Sequence, residues 1–208
     1  MSKQNSNPEN RREFFNKAAP TWDKTFYNTK LTAFLAELMP KFGLKTGQQI
    51  LDIGTGTGIL IPFLLDAVGS KGHVTAVDFA EKMVEVCKTK YANNPNLTVM
   101  VQNAENLQFP NESFDAVTCF GLFPHLENKE LALKQFNNVL KLGGKLVIAH
   151  ALSSQEIRSH HHNAAAVVAH DELPSETEMR KMLKKAGFEN VEITDKPSCY
   201  LCMSNKPA

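Results

Sequence analysis

The sequence lacks both an excess of charge and a long apolar run, and each absence narrows the class of protein. Among its 208 residues, 23 Lys and Arg stand against 22 Asp and Glu, a formal net charge of +1. A dedicated nucleic-acid binder normally carries a basic stripe, so this balance disfavours DNA or RNA as a partner. The most apolar stretch, Ile59–Leu65, is short and contains Pro62, so we expect no membrane span.

Cysteine is also scarce. The chain has 4 cysteines, Cys87, Cys119, Cys199 and Cys202, with no regular framework, which is typical of reduced thiols in a cytoplasmic protein. The polar segment Met1–Asn10 has no apolar core, so we expect no secretory signal and a cytoplasmic location. Cys199 and Cys202 would point to opposite faces of a strand, so core packing is expected rather than a shared zinc ion.

What the sequence does contain is an alternation of strand-like and helix-length segments. Its first five strand candidates are Ile50–Ile53, His73–Val77, Leu97–Val101, Phe114–Cys119 and Lys145–Ala149. Such alternation is typical of βαβ units and a parallel sheet, and Gly143-Gly144 would supply the turn into the fifth strand. Asn190–Thr194 and Cys199–Met203 are joined by a link too short for a parallel crossover. The predicted fold is therefore α/β: a Rossmann-like, doubly wound, mostly parallel seven-stranded sheet ending in an antiparallel hairpin.

The N-terminal region has a helical pattern. Residues 1–10 are rich in Asn and Ser and are expected to be flexible, while residues 11–208 would form a single domain. The apolar spacing predicts helix over Arg11–Phe42, with Pro40 closing it. Trp22–Tyr27 could either fold over a bound ligand or pack on the sheet as an ordinary amphipathic helix.

A glycine-rich loop, Gly54-x-Gly56-x-Gly58, lies between the first strand and the next helix. Glycine lets the backbone approach a ligand closely, and the helix N-terminus behind it carries partial positive charge. Asp78 ends the second strand, where a carboxylate can accept hydrogen bonds from both ribose hydroxyls. The ordered set of strand, loop, helix, strand and acid predicts a nucleotide-like ligand. A dinucleotide is disfavoured, because its fingerprint requires a glycine where Ile59 stands.

Segments of this chain resemble the class I S-adenosylmethionine-dependent methyltransferases, of the type grouped as methyltransferase domain 11. ILDIGTGTG, at Ile50–Gly58, is similar to the first motif of that family. Asp78 in TAVDFAEKM resembles the acid after the family's second strand, and Asn103-Ala104-Glu105 resembles its adenine-contacting segment. LKLGGKLVIAH, ending at His150, is similar to the stretch through the fifth strand. The opening FFNKAAPTWDK resembles the quinone-biosynthesis C-methyltransferase branch.

The resemblance implies S-adenosylmethionine as the cofactor and S-adenosylhomocysteine as its product. The Gly54–Gly58 backbone would face the methionine end, Asp78 would hold the ribose, and Phe79 would lie against the adenine. Asn103 stands where the family usually has an aspartate, and its amide oxygen can still accept the adenine amino hydrogen. The cofactor-binding residues that the resemblance implies are Asp52, Gly54, Thr55, Gly56, Gly58, Asp78, Phe79, Met83, Asn103, Ala104, Glu105 and Phe120.

The methyl acceptor is expected beyond the carboxyl ends of the fourth and fifth strands, where open α/β sheets bind ligands. Phe120–His125 is largely apolar and lacks the Asn/Asp-Pro-Pro-aromatic motif of nucleic-acid amino-methyltransferases, which favours a small-molecule acceptor. His125 and His150 both follow strand ends and are the catalytic candidates, since histidine can take a proton near neutral pH. The alternative is that each is a surface or packing histidine.

The segment Ala151–Pro174 is long for a connection, and such loops are often lids or contain extra helices. Ser153-x-x-Glu156 is expected to cap a short helix leading to His160–His162, with an apolar patch at Ala164–Val168. Placed over the crevice, this insert would shape the substrate pocket. A metal site is disfavoured, because three consecutive histidines cannot all point the same way on a helix.

The function predicted from the sequence is transfer of a methyl group from S-adenosylmethionine to a small molecule, with O, N, C or S as the acceptor atom left open. One alternative is a non-catalytic module that binds S-adenosylmethionine, and a second is a nicotinamide-dependent dehydrogenase. The oligomeric state is also left open, a homodimer included.

Overall fold

The computed structural model describes residues 8–162 and 166–208. Helix α1 begins at Pro8, so part of the segment that was expected to be flexible is helical. Residues 1–7 of that segment lie outside the described residues. So do residues 163–165 of the insert, of which 164 and 165 belong to its predicted apolar patch. The strands are β1 (Gln49–Ile53), β2 (His73–Asp78), β3 (Leu97–Val101), β4 (Phe114–Phe120), β5 (Leu140–His150), β6 (Glu189–Lys196) and β7 (Cys199–Asn205). The α-helices are α1 (Pro8–Ala18), α2 (Trp22–Phe26), α3 (Thr29–Phe42), α4 (Ile61–Val68), α5 (Glu81–Lys90), α6 (Lys129–Val139), α7 (Ser154–His162) and α8 (Glu176–Lys185).

The strands form one 7-stranded sheet in the order β3-β2-β1-β4-β5-β7-β6. Neighbours from β3 to β5 are parallel, whereas β7 runs antiparallel to both β5 and β6. The predicted fold class is therefore confirmed, including the closing hairpin. The order reverses between β1 and β4, which is where open α/β sheets form a ligand crevice.

Helices cover both faces of the sheet. Buried side chains of α3 and α4 pack on one face, and those of α6 and α8 pack on the other. Side chains of strand β7 alternate between the two faces. Cys199 lies in the core on the α3 and α4 side, and Cys202 lies in the core on the α6 and α8 side, so the prediction that they face opposite ways is confirmed. Within the described ranges, no helix is both long and apolar enough to cross a membrane.

The prediction that Pro40 closes its helix was wrong. Helix α3 continues to Phe42 and ends at Gly43, whose φ of 63° is the left-handed cap conformation. Phe42 is fully buried, so packing of the last turn outweighs the backbone hydrogen bond that proline removes.

The prediction of a turn at Gly143-Gly144 was right only in part: Gly143 has a φ of 72°, and the register between β4 and β5 shifts between the pairs Phe114–Leu140 and Ala116–Lys145. Strand β5 runs through both glycines, from Leu140 to His150. The chain end pairs with them: the Gly143 amide donates to the Lys206 carbonyl, and the Lys206 amide donates to Gly144. The pairing extends the strand by several residues, an effect that local composition does not reveal.

Candidate active site

The glycine loop adopts a backbone that requires glycine. Gly54 and Gly58 have φ values of 72° and 89°. A Cβ at Gly54 would lie 2.7 Å from the Leu122 side chain, and one at Gly58 would lie 2.6 Å from the Tyr91 ring. The loop is thus held between the segment after β4 and helix α5, with its backbone at the carboxyl end of β1.

Asp78, the last residue of β2, reaches across this loop. Its carboxylate accepts hydrogen bonds from the Gly56 and Ala80 amides, each at 2.9 Å. Burial raises the pKa of Asp78 to about 6, against the effect of these amide donors. The side chain is therefore fixed in place as a hydrogen-bond acceptor before any ligand arrives.

Asp52 lies deeper, in β1. It is 2% exposed and accepts a hydrogen bond of 2.7 Å from the Thr118 hydroxyl of β4. Burial raises its pKa to about 6 as well. The pair joins the two central strands beneath the glycine loop.

A cavity opens where β1, β2 and β4 end. Its lining comes from the glycine loop, the ends of β2 and β3, the segment after β4, and helix α1. The lining residues are Pro8, Arg11, Ile53, Gly54, Asp78, Phe79, Gln102, Asn103, Ala104, Glu105, Leu122, His125, Leu126 and Glu127. The structure thus brings together six of the residues expected to bind the cofactor and one of the two catalytic candidates.

Other candidate residues lie outside this lining. Thr55 and Met83 are buried, Met83 in a small core with Ala19 and Ala80, and Gly56 gives its amide to Asp78. The Phe120 ring lies beside His150, with 6.3 Å between ring centroids.

The adenine-type segment after β3 is held by its own polar groups. Asn103 Oδ1 accepts a 2.9 Å hydrogen bond from the Glu105 amide, forming a tight turn. Glu105 Oε1 accepts from the Glu127 and Asn128 amides at 2.9 and 3.0 Å. Glu105 therefore ties this segment to the one after β4, a positioning contact that the sequence did not reveal.

Helix α2 packs over the glycine loop. The Thr57 hydroxyl contacts the Asp23 carboxylate and lies 3.0 Å from the Tyr27 hydroxyl. Lys90 of α5 donates to Asp23 at 2.8 Å. Trp22 Nε1 is the nearest atom, at 4.0 Å, to where a Cβ of Gly56 would stand. These contacts place α2 beside the glycine loop, and folding of this helix over a bound ligand stays a prediction.

His125 belongs to a three-residue network. It ends a short 3₁₀ turn, Phe123–His125, after β4, and its Nδ1 lies 2.6 Å from Oδ2 of Asp171. Arg11 of α1 contacts both oxygens of Asp171, with 2.9 Å from Nη2 to Oδ1, and donates from Nη1 to the His125 carbonyl at 3.0 Å. No sequence signal indicated that Arg11 and Asp171 belong to the site, because the two residues lie 160 positions apart and no motif links them.

The charges in this network are well defined. Burial lowers the pKa of His125, although the carboxylate of Asp171 acts in the opposite direction. Burial would raise the pKa of Asp171, but hydrogen bonds from His125 and Arg11 hold it below its usual range. Near neutral pH, Asp171 is thus ionised and His125 neutral, with Nδ1–H donating to Asp171. No partner for His125 Nε2 occurs within the described part of the chain.

His150, the second catalytic candidate, ends β5 and does not line the cavity. Burial and neighbouring histidines lower its pKa to about 3. Its Nδ1 is buried without a hydrogen-bond partner among the residues that the structure describes.

The insert supplies a second histidine to the His125 network. Ser153 and Glu156 cap α7 as predicted, the Glu156 amide donating to Ser153 Oγ at 3.2 Å. His161 of this helix is buried, and its Nδ1 contacts the Asp171 carbonyl, whereas His160 and His162 are exposed. Over residues 8–162 and 166–208, no three His, Cys, Asp or Glu side chains are grouped to hold a metal ion.

The chain is similar in sequence to known methyltransferases. Residues 50–144 match a family model described as methyltransferase domain. The ubiquinone/menaquinone biosynthesis C-methyltransferase UbiE of Shewanella oneidensis is 30% identical over 182 residues, covering 74% of this chain and 71% of that protein.

Solved structures share the fold. A S-adenosylmethionine-dependent methyltransferase from Aquifex aeolicus has a TM-score of 0.69 at 23% identity, covering 94% of this chain and 98% of its own. Phosphoethanolamine N-methyltransferase 2 of Haemonchus contortus, solved with phosphomonomethylethanolamine and S-adenosylhomocysteine, has a TM-score of 0.75 at 17% identity, covering 95% of this chain and 59% of its own.

Fold and site together define a Rossmann-like α/β protein with a glycine loop and a strand-end carboxylate at its topological switch point. With the relatives above, the chain belongs to the class I S-adenosylmethionine-dependent methyltransferases. It is an enzyme whose methyl donor is S-adenosylmethionine.

Proposed function

We propose that this enzyme transfers the methyl group to a small-molecule acceptor that binds beside His125. The observation that carries the proposal is a shared cavity, which His125 lines together with Gly54 and Asp78. A donor held at the glycine loop would then lie next to a side chain able to take a proton. S-adenosylmethionine supplies a methyl carbon activated by its sulfonium.

The same cavity supports roles for the cofactor-binding residues. Asp78 would accept the ribose hydroxyls, Phe79 would lie against the adenine, and the backbone of Gly54–Gly58 would face the methionine end. The fit rests on two observations: the Asp78 carboxylate is fixed at the cavity wall, and Gly54, which also lines the cavity, has no side chain. Asn103 Oδ1 uses one lone pair on the Glu105 amide and keeps a second for the adenine amino group.

A small acceptor is supported by charge and by the relatives. The net charge of +1 disfavours nucleic acid as the acceptor, because a nucleic-acid binder usually has an excess of basic residues. The Shewanella protein is named for C-methylation in ubiquinone and menaquinone biosynthesis, and the Haemonchus enzyme was solved with phosphomonomethylethanolamine, both small-molecule contexts. A cytoplasmic location is part of the proposal, supported by the 4 cysteines, all free.

Of the two histidines, His125 is the better candidate for contact with the acceptor. It lines the cavity and is oriented by Asp171, whereas His150 lies outside the lining. With a pKa near 3, His150 would also be a weak proton acceptor at neutral pH.

The test is methyl transfer from radiolabelled S-adenosylmethionine to four small probes: 1,4-dihydroxynaphthalene, catechol, phosphoethanolamine and nicotinamide. Single-stranded RNA, duplex DNA and a protein lysate are assayed in parallel. The proposal expects label in at least one small probe, with S-adenosylhomocysteine formed in equal amount. Label confined to nucleic acid or protein, or binding of S-adenosylmethionine without turnover of any probe, would contradict it.

A further inference from the structure

Three segments far apart in the sequence meet at His125. Arg11 lies in α1, Asp171 lies in the part of the insert that follows α7, and His125 lies in the turn after β4. Arg11 is 6% exposed, and its contact with Asp171 is bidentate, which fixes the plane of the carboxylate as well as its position.

The imidazole ring is also held from its sides. The Phe15 ring lies edge-on at 5.6 Å from the His125 centroid, and the His161 ring lies at 4.9 Å. His161 is itself fixed by its contact with the Asp171 carbonyl. A histidine that served only to fill space would not need a buried ion pair on one nitrogen.

We propose that Asp171 and Arg11 are positioning residues that hold His125 as the base of the reaction, so that the acceptor atom enters the site carrying a proton, as a hydroxyl or a protonated amine. This inference rests on the proposed function and narrows its substrate class. Acceptors that carry no proton to remove, such as thioethers and pyridine-type nitrogens, would gain nothing from this arrangement.

The tautomer follows from the contacts. Because Asp171 is an ionised acceptor, His125 donates Nδ1–H to it, and Nε2 keeps its lone pair. Arg11 keeps the carboxylate ionised and stops it from turning away. The other charged or titratable groups around His125 are His161 of α7, His150 of β5, Glu127 of the segment that leads into α6, and Lys129, the first residue of α6.

The chemical step balances with these groups alone. The electron pair that forms the bond to the methyl carbon is a lone pair of a hydroxyl oxygen or, in a protonated amine, the pair released when the N–H bond breaks. The carbon–sulfur bond breaks with its electron pair left on sulfur. The acceptor's proton moves to His125 Nε2, and the resulting imidazolium is stabilised by Asp171. The proton passes to water when the methylated product leaves.

The first experiment needs no acceptor. Histidine labelled with ¹⁵N is observed by NMR in the full-length protein with S-adenosylhomocysteine, and the His125 signals are assigned by their loss in His125→Gln. We expect a neutral imidazole with Nδ1–H at pH 7, and a fall in that tautomer in Asp171→Asn and Arg11→Lys. The neighbours Glu172 and Arg12, in exposed pairs, provide matched controls: Glu172→Gln and Arg12→Lys should leave the signals unchanged.

An Nε2–H tautomer in the wild-type protein, or signals that Asp171→Asn does not alter, would overturn the inference. This result stands whether or not any probe is methylated, so it is independent of the proposed function. A fold check by circular dichroism accompanies each variant.

The second experiment uses pH and the probes. For a protic probe, His125→Gln should lower kcat/KM at pH 7 by about 10²–10⁴-fold, and Asp171→Asn by at least about tenfold, at unchanged affinity for S-adenosylhomocysteine. Activity of His125→Gln should recover as pH rises toward the pKa of the probe, because the probe then ionises without help. A loss of activity that is equal at every pH would mean that His125 has a structural role and would overturn the inference. Turnover of nicotinamide alone among the four probes would contradict an acceptor that carries a proton.

Discussion

At the scale of single residues, Asp78 has the most direct consequence for binding. Its carboxylate is held by two backbone amides at the cavity wall, so the expected hydrogen bonds to ribose are charge-assisted. We expect Asp78→Ala to weaken binding of S-adenosylhomocysteine by about 2–4 kcal/mol, measured by titration calorimetry. Asp66→Ala, at an exposed site on α4, is the control. Equal affinity in the two variants would remove Asp78 from the binding site.

Asp52 gives a prediction about stability and pH. Burial raises its pKa in the folded chain to about 6, above the value of about 4 for an unfolded aspartate. The folded state therefore binds the proton more tightly, and the contribution of Asp52 to the free energy of unfolding falls as pH rises between about 4 and 6. An asparagine cannot ionise and still accepts from Thr118, so Asp52→Asn should stabilise the protein at pH 7 by about 1–3 kcal/mol.

Urea unfolding without ligand at pH 4 and pH 7 checks this. The gain from Asp52→Asn should be small at pH 4, where the wild-type carboxyl is largely protonated. Asp66→Asn, which is exposed, should show no such difference between the two pH values. A gain that is the same at both values would mean that ionisation of Asp52 does not oppose folding.

The position of a single site residue could be predicted from the sequence where its neighbours in the chain determine that position. Asp78 could be located because it ends a strand that follows a glycine loop, and the structure puts its carboxylate there. Arg11 and Asp171 could not, because their contact depends on how α1 and the insert fold back over the sheet. His125 was located, but its partner was not.

At the scale of elements, Gly58 separates backbone strain from packing. Gly58 and Gly47 have almost the same φ, 89° and 87°. A Cβ at Gly47 meets nothing within 4 Å, whereas one at Gly58 would lie 2.6 Å from Tyr91 and 2.8 Å from Cys87. Gly47→Ala should thus cost about 1–2 kcal/mol, from strain alone. Gly58→Ala should cost more by about 1–3 kcal/mol, because α5 must shift.

Urea unfolding of the two alanine variants measures the difference, and titration with S-adenosylhomocysteine shows whether the loop has moved. Gly47→Ala should bind normally, since it lies before β1. If both variants lose the same stability, then α5 accommodates the extra methyl group and the close approach at Gly58 is not required.

The boundaries of helices and strands show how far short sequence signals determine the structure. Ser175 and Glu178 form the capping box at the start of α8, a signal complete within four residues. Helix α3 ends at Phe42 and not at Pro40, because Phe42 is buried. Strand β5 begins at Leu140, before Gly143-Gly144, because the two glycines pair with Lys206. Local rules hold where no distant contact competes.

At the scale of the whole molecule, helices α1 and α2 and the insert lie at the carboxyl ends of the strands, where the cavity opens. Arg11 joins α1 to the insert, and Asp23 joins α2 to the glycine loop and to Lys90 of α5. The apolar contacts of α1 and α2 are a small cluster of Ala19, Ala80 and Met83 with Phe15 and Trp22 packed against it, whereas the two cores of the sheet are much larger. Opening of α1 and α2 is therefore expected to cost less free energy than opening of the sheet, whose core includes α3.

This difference predicts how the molecule responds to its ligand. S-adenosylhomocysteine, bound at the glycine loop beneath α2, should add contacts to α2 and shift its opening equilibrium toward the closed form. At a free concentration of about 100 times Kd, the free energy of unfolding should rise by about 2.7 kcal/mol. Hydrogen exchange followed by mass spectrometry should show slower exchange in Trp22–Phe26. Strand β7 lies on the other side of β4 and β5 from the glycine loop, and the exchange rates of its peptides that exchange by local opening should be unchanged. Slower exchange of equal size in both elements would mean that the ligand stabilises the fold as a whole, and α2 would then not be the part that closes over it.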